Sequence, residues 1–471
     1  MTRHSNNPQH DNHTQRVLSV IAASAIGLAA GTNYGFSAWA PQFAERLSLS
    51  ATEINLIGTF GNLGMYAVGI PAGALIDARG PRYGALLGAI CLAAGYFPLR
   101  NAYDAAGEGY NMALYCLFSF FTGVGSCSAF SSAIKVSATN FPSHRGTATA
   151  FPLSCFGLSA LLFTTISAVV LDDTSGLLLL LGIGTVSAVL VSTIFLRLIT
   201  ATGYGLLPSE EPRKDSDELE RTTSRGSWKD AEDVNITGLA LLRSSKFWQL
   251  LVLLGLLGGV GLMTINNIGN DARSLWHHYD DTASREAIQK RQLMHVGILS
   301  LMSFVGRLCS GIGSDWLVHH RSTRLWTLVV SSAVFAAAQV VGLALENPNY
   351  LFWLSGLTGL GYGALFGVYP ALVADAFGAA GMASNWGAMI FAPVLSGFLY
   401  NLVYGAVLDA HSVYKGAGRV GERVCDEGRQ CYAAAYWVTL GSSVLGMAWV
   451  LWCIMAERSQ KQAHRIRSHD T

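Results

Sequence analysis

Arg307 is the residue here whose type and position point most directly to chemistry, because it lies inside an apolar stretch near 292–313. Charge within a membrane-length segment is costly, and a guanidinium binds a carboxylate through two parallel hydrogen bonds. Two readings stay open for it: an anion site, or a structural pair with Asp315 or a neighbouring carbonyl. Other apolar stretches carry Asn33, Tyr34, Asn62, Tyr66, Asn266 and Asn267. Tyr362 and Tyr369 are seven apart and share one helix face. Such side chains either contact a ligand or hydrogen-bond helix to helix. Lys135 ends the fourth stretch, where its stem can snorkel to the membrane surface.

Carboxylates are missing from the middle of the stretches. Asp77, Asp315 and Asp375 fall at one set of ends, and Asp271 at the far end of the seventh. A relay of mid-membrane acids has no support, while a proton carried by the substrate or by Asp271 stays open. No lysine follows a glycine, so there is no Walker A loop and ATP is not the driver. The histidines sit mainly in the N-terminal tail and in pairs such as His277-His278 and His319-His320, without a repeated box. A membrane metalloenzyme is therefore not expected, and no cofactor, metal or catalytic residue is assigned. Six of the eight cysteines are apolar packers within the stretches. Cys425 and Cys431 instead share a polar loop six residues apart, and an oxidising compartment on that side makes them a disulfide candidate.

The elements that must position these groups follow from composition. The chain has 471 residues, 51% apolar and 13% charged, with a mean hydropathy of +0.36 and a net charge of +1. Soluble domains carry about 25% charged residues. That deficit excludes a disordered chain, a nucleic-acid binder and an ordinary cytosolic enzyme. Apolar stretches near 17–38, 55–76, 83–99, 112–134, 148–171 and 176–198 precede a polar block, and six more follow near 247–268, 292–313, 325–345, 350–374, 385–408 and 435–456. Each approaches the roughly 20 residues that cross a bilayer as a helix. The contrast is weakest between the tenth and eleventh, where only Asp375 to Asn385 intervenes.

The expected organisation is a tail over 1–16, a six-helix bundle over 17–198, a linker over 199–246, a second bundle over 247–456 and a tail over 457–471. Met1 to Gln15 is too polar for a signal peptide. The linker is charged and rich in Ser and Thr, a solvated tether with room for regulatory phosphorylation. With both termini cytosolic, about twenty Lys and Arg fall on the cytosolic side and ten on the other, which obeys the positive-inside rule. The sequons at Asn12 and Asn235 would then be cytosolic and unused.

The two halves echo each other. Gly73-Ala-Leu-Ile-Asp77-Ala-Arg79-Gly80-Pro81-Arg82 closes the second stretch, and Gly311-Ile-Gly-Ser-Asp315 closes the eighth. A Gly-x-x-x-Asp at the same place in each half marks a duplicated bundle. The glycine lets helices approach, and the aspartate can face a helix N-terminus or an arginine.

Gly73, Asp77, Gly80 and Arg82 make this segment resemble the loop 2–3 signature of the major facilitator superfamily, with Ala78 and Pro81 off the pattern. Asn33-Tyr34-Gly-Phe36-Ser37-Ala-Trp39-Ala-Pro41, Asn62-Leu-Gly64-Met-Tyr66 and Arg145-Gly-Thr-Ala-Thr-Ala-Phe-Pro152 resemble nodulin-like and fungal monocarboxylate-transporter-like members. So do Gly306-Arg307 and Asp375-Ala-Phe-Gly378. The first helix lacks the acidic–glycine–tryptophan opening and the lysine of animal-type monocarboxylate carriers.

The resemblance implies an all-α integral membrane fold, with twelve transmembrane helices in two pseudo-symmetric six-helix bundles. It implies a multi-pass secondary transporter of a small solute by alternating access, by uniport or proton symport, in the plasma or vacuolar membrane. The expected substrate is an organic anion such as a monocarboxylate, with Arg307 on its carboxylate. Asn33, Tyr34, Asn62, Tyr66, Asn266, Tyr362 and Tyr369 would line the site. Gating would fall to Gly73, Asp77, Gly80, Arg82, Gly311 and Asp315, with Asp77 and Arg82 bracing the start of the eleventh helix near Asn385. The alternatives are an exporter of a neutral or amphipathic metabolite and a non-transporting receptor on the same fold. Expected partners are the solute and the bilayer, with no nucleic acid and a monomeric state.

Overall fold

The structure is a computed structural model, and it describes residues 8–49, 51–170, 173–199, 235–280, 284–415 and 422–469. Most of the linker lies outside the described residues. In a bilayer every backbone polar group must be satisfied within the protein, and here helices do this almost throughout. The first half comprises α1 (Pro8–Ala30), a 3-10 segment (Gly31–Ala38), α2 (Ala40–Arg46), α3 (Ala51–Ala67), α4 (Gly69–Arg79), α5 (Pro81–Asp104), α6 (Met112–Asn140), α7 (Arg145–Val170) and α8 (Thr174–Phe195). The second comprises α9 (Leu239–Arg243), α10 (Ser245–Tyr279), α11 (Arg285–His319), α12 (Leu325–Ala344), α13 (Leu351–Phe377), α14 (Met382–Met389), α15 (Phe391–His411) and α16 (Ala433–His469). A two-stranded hairpin, β1 (Val413–Lys415) with β2 (Glu422–Val424), lies in the loop before α16.

Eleven helices among the described residues are long and apolar enough to span a membrane, and the bent pair α3–α4 makes a twelfth. The irregular span is thus the second, bent by 40° next to Val68. Pro71, in the first turn of α4, has no N–H to continue the ladder, which favours a break there. The tenth and eleventh are clearly separate, because α13 stops at Gly378, whose φ of +92° suits only glycine. The outermost helices extend beyond the apolar stretches: α1 begins at Pro8, and α16 continues to His469.

Each half has its own apolar core. Leu92, Tyr96, Leu99 and Leu178 anchor the first, and Leu253, Leu257, Phe335 and Tyr369 the second. A smaller cluster joins the halves, with Ala30, Met65, Phe130 and Phe156 meeting Ala374 and Met382. Two close approaches explain the repeated glycine. A Cβ on Gly73 would lie 2.5 Å from the Ala383 carbonyl oxygen, and one on Gly311 would lie 2.6 Å from that of Gly146. In each case a helix of one half touches the backbone of the other, at the end of the molecule that carries the linker.

Candidate functional site

A cavity of about 50 Å³ lies between the halves, and Arg307 of α11 is the charged residue lining it. Tyr34 of the 3-10 segment, Tyr66 of α3 and Tyr362 of α13 line it too, with Phe130, Phe156, Phe366 and Trp386. Tyr34 packs edge-on to Phe156, their ring centroids 5.4 Å apart. Its hydroxyl is in hydrogen-bonding reach of both Tyr66 and Tyr362.

Arg307 is 4% exposed. Its Nη1 crosses to the other half and donates to the Leu153 carbonyl oxygen of α7. The absence of a side chain at Gly157 leaves room for the guanidinium. Its Nε is buried without a hydrogen-bond partner. The phenols of Tyr34, Tyr66 and Tyr362 share its cavity, and among the described residues no carboxylate pairs with it. A buried cation satisfied by one carbonyl keeps donors for an anion.

The remaining expected lining residues lie elsewhere. Asn33 and Asn62 face a second cavity inside the first half, with Thr32, Tyr96, Ser119 and Thr122. Tyr369 is fully buried and its hydroxyl donates to Leu250 O at 2.8 Å, which ties α13 to α10. Asn266 is exposed and lines neither cavity. Its neighbour Asn267 donates to Asn401 Oδ1 on α15 at 2.6 Å.

The two motif aspartates act as a pair. Asp77 at the end of α4 accepts from Ser384 N at 2.9 Å and Ser384 Oγ at 2.6 Å, at the N-terminus of α14. Asp315 at the end of α11 accepts from Gly146 N at 3.0 Å and Thr147 N at 2.6 Å, at the N-terminus of α7. Each half thus caps a helix of the other, where unpaired N–H groups and the helix dipole favour a carboxylate. Arg82 turns the other way, donating to the carbonyls of Ile194 and Leu196 within its own half. Gly80 ends α4 with φ of +98°, and so sets the turn into α5.

Charges to which the sequence assigned no part in gating complete this contact. Lys135 is 5% exposed and paired within the protein instead of snorkelling outward; its Nζ lies 2.6 Å from Asp77 Oδ1 and also donates to Ala380 O across the interface. Arg324, just before α12, reaches both Asp315 and Asp375, and Arg145 of the first half meets Asp375 at 2.7 Å. Burial works against the Arg324 charge, but Asp375 and Asp315 outweigh it and hold its pKa above the ordinary value. The described hydrogen bonds between halves gather at this end, with those from Arg307 to Leu153 and from Ser154 to Phe304 nearer the centre. The signal for Lys135 was its position in a small-residue helix, Ser131-Ser132-Ala133-Ile134-Lys135, whose faces are all buried.

Away from this interface, Asp271 is fully buried within the second half. Tyr404 and Tyr436 hydroxyls donate to its two oxygens at 2.7 and 2.6 Å. Cys425 and Cys431 form a disulfide beside Tyr432 in the same core. Among the described residues no group of three or more His, Cys, Asp or Glu could hold a metal ion.

The family model for the Major Facilitator Superfamily matches residues 22–384. An uncharacterized membrane protein of Saccharomyces cerevisiae, YMR155W, is 26% identical over 95% of this chain and 96% of its own length. The probable transporters MCH1 of Gibberella zeae and of Candida albicans are each 26% identical; both alignments cover 93% of this chain, and 89% and 92% of those proteins. Among solved structures, the transporter FucP in its outward conformation superposes with a TM-score of 0.58 at 15% identity, covering 92% of this chain and 99% of that one. The proton:xylose symporter XylE superposes at 0.59 and 10% identity, over 94% of this chain and 96% of its own.

Proposed function

This chain belongs to the Major Facilitator Superfamily, and from that premise we propose that it carries a small organic anion, such as a monocarboxylate, by uniport or together with a proton. It is a secondary-active transporter that exposes one central site to each side of the membrane in turn. The observation that supports an anion is Arg307, buried in the cavity between the halves with Nε unpartnered and, among the described residues, no carboxylate beside it. Leaving a buried charge unpaired costs several kcal/mol or more. A carboxylate entering the cavity offsets that cost and takes the free donors, while Tyr34, Tyr66 and Tyr362 set its size and hydrogen bonding.

The aspartate–lysine and aspartate–arginine contacts are the gate at the linker end. The excess of Lys and Arg supports a cytosolic side for that end and both termini, and the contacts there make this a state closed on that side. The fungal MCH1 probable transporters support a transporter of this superfamily; the reading is completed by a place in the nodulin-like and monocarboxylate-transporter-like group, as a monomer in a plasma or vacuolar membrane. The apolar lining from Phe130, Phe156, Phe366 and Trp386 favours a second reading, export of a neutral or amphipathic metabolite.

A thermal-stability screen of the purified protein against organic acids, amino acids and neutral metabolites separates the two, followed by uptake of the best ligand into vesicles. The anion reading expects acids to stabilise the protein, and Arg307→Ala to lower their uptake at least about tenfold. Stabilisation by neutral ligands alone, or unchanged acid uptake in that variant, overturns it.

A further inference from the structure

The cavity inside the first half, also about 50 Å³, is lined by Thr32, Asn33, Asn62, Tyr96, Ser119 and Thr122. Four of these are almost wholly buried: Thr32 at 1%, Tyr96 at 2%, Ser119 at 3% and Thr122 at 4% exposed. Three hydrogen bonds of this lining are donated by Tyr96, Thr122 and Asn33. Tyr96 donates to Thr32 Oγ1 at 2.8 Å, Thr122 donates to Ser119 O at 2.7 Å, and the Asn33 amide nitrogen donates to Gly61 O at 3.5 Å. The Asn33 and Asn62 amide oxygens and the hydroxyl oxygens of Ser119, Thr122 and Tyr96 keep lone pairs. The Ser119 hydroxyl and the Asn62 amide also keep donors, but among the described residues no Lys or Arg lines the cavity, so its neutral oxygens suit a hard cation better than an anion.

Its charge and size narrow the ion. Among the described residues no carboxylate lines the cavity, so none there offsets the desolvation of a divalent ion, which binds through acidic ligands. A small monovalent ion with neutral oxygen ligands remains. The backbone is suited to it, because Gly31–Ala38 runs as a 3-10 helix instead of continuing α1. A 3-10 stretch within a span marks a hinge, and irregular backbone at membrane depth supplies carbonyls to ions in other transporters. We propose that this cavity is a sodium site, and that sodium bound there is sensed at the central cavity. The two cavities share their supports: Asn33 precedes Tyr34 on the 3-10 segment, and Asn62 lies one turn before Tyr66 on α3. A sodium ion moving with an organic anion is also electroneutral. That coupling rests on the anion reading, whereas binding of the ion does not.

The test uses the purified full chain in detergent without any organic acid, unfolded by heat in sodium, potassium or choline chloride at equal ionic strength. A ligand of the folded state raises the midpoint by mass action. The midpoint is expected to rise saturably with sodium, in roughly the millimolar range, and far less with potassium. Ser119→Ala with Thr122→Val removes two oxygens and is expected to raise the half-saturating sodium concentration at least about tenfold. Asn62→Asp adds a charged ligand and is expected to lower it, which keeps the test decisive if the double variant folds poorly. Identical curves in the three salts, or a sodium shift indifferent to all these substitutions, overturns the proposal and leaves a water-filled cavity. Arg307→Ala distinguishes the two readings, since it should abolish stabilisation by acids while the sodium shift persists.

Discussion

At the scale of single residues, Asp77 shows how one carboxylate can set a conformational equilibrium. It receives a lysine ammonium and the N-terminus of α14, so it joins three elements from two halves. Asp77→Asn keeps the size and one acceptor oxygen but removes the charge that both partners favour. A carboxylate at a helix N-terminus contributes roughly 0.3–2 kcal/mol, and Lys135 would be left buried without its counter-charge. The substitution should therefore destabilise the state closed at the linker end, with turnover falling more than ligand affinity. Parallel measurements of vesicle flux and equilibrium binding check this, and unchanged flux rejects it. Arg307 is a contrasting residue: its charge faces a cavity instead of a carboxylate. Arg307→Lys keeps the charge but loses the planar fork, and should recover only a small part of the acid uptake that Arg307→Ala loses. Full recovery in that variant would show that a point charge suffices there.

At the scale of elements, the repeated Gly-x-x-x-Asp was legible because it is local: four residues fix a close approach and an acid at the same place in each half. Its partners were not, because Lys135 is 58 residues from Asp77, and Ser384 is 307 away. No helical period links positions so far apart, and Arg82, adjacent to the motif, spends its donors on α8 for the same reason. The polar residues of the spans were legible as candidates but not as a site. Spacing gave Tyr362 and Tyr369 a common face, yet only Tyr362 lines the cavity, since Tyr369 satisfies a carbonyl on a neighbouring helix. Asp271 binds α10, α15 and α16 into one unit through Tyr404 and Tyr436. Tyr436→Phe would leave a buried carboxylate oxygen without its donor, a loss of about 1–3 kcal/mol. Denaturation in detergent should show that loss, and an unchanged midpoint would mean that water replaces the phenol. The Cys425–Cys431 bridge closes a short loop against the same core, so reduction should cost about 2 kcal/mol. Non-reducing peptide mapping should recover the two cysteines linked, and finding both thiols free contradicts the bridge.

At the scale of the whole molecule, the two aspartate contacts are one device made twice. α4 of the first half holds α14 of the second, and α11 of the second holds α7 of the first. A rocking motion that opens the linker end must break both, while Arg145 and Arg324 meeting at Asp375 couple the second contact to its surroundings. Two ties on one equilibrium that share no partner should add in free energy, and every 1.4 kcal/mol changes the ratio of states tenfold. Asp77→Asn and Asp315→Asn should each populate the linker-open state modestly, and the pair should do so by about the product of the two ratios. Spin labels at His144→Cys, in the first half, and His320→Cys, in the second, would report it, because both positions are exposed at that end. The distance between them should show a single short population in the parent and a growing longer one through the single and double variants. If the double variant only matches the stronger single, the contacts fail together, and the interface behaves as one cooperative latch instead of two independent ties. If no longer population emerges in any of them, the linker end is held by the apolar cluster around Phe130, Phe156 and Met382, and the motif aspartates do not gate the carrier.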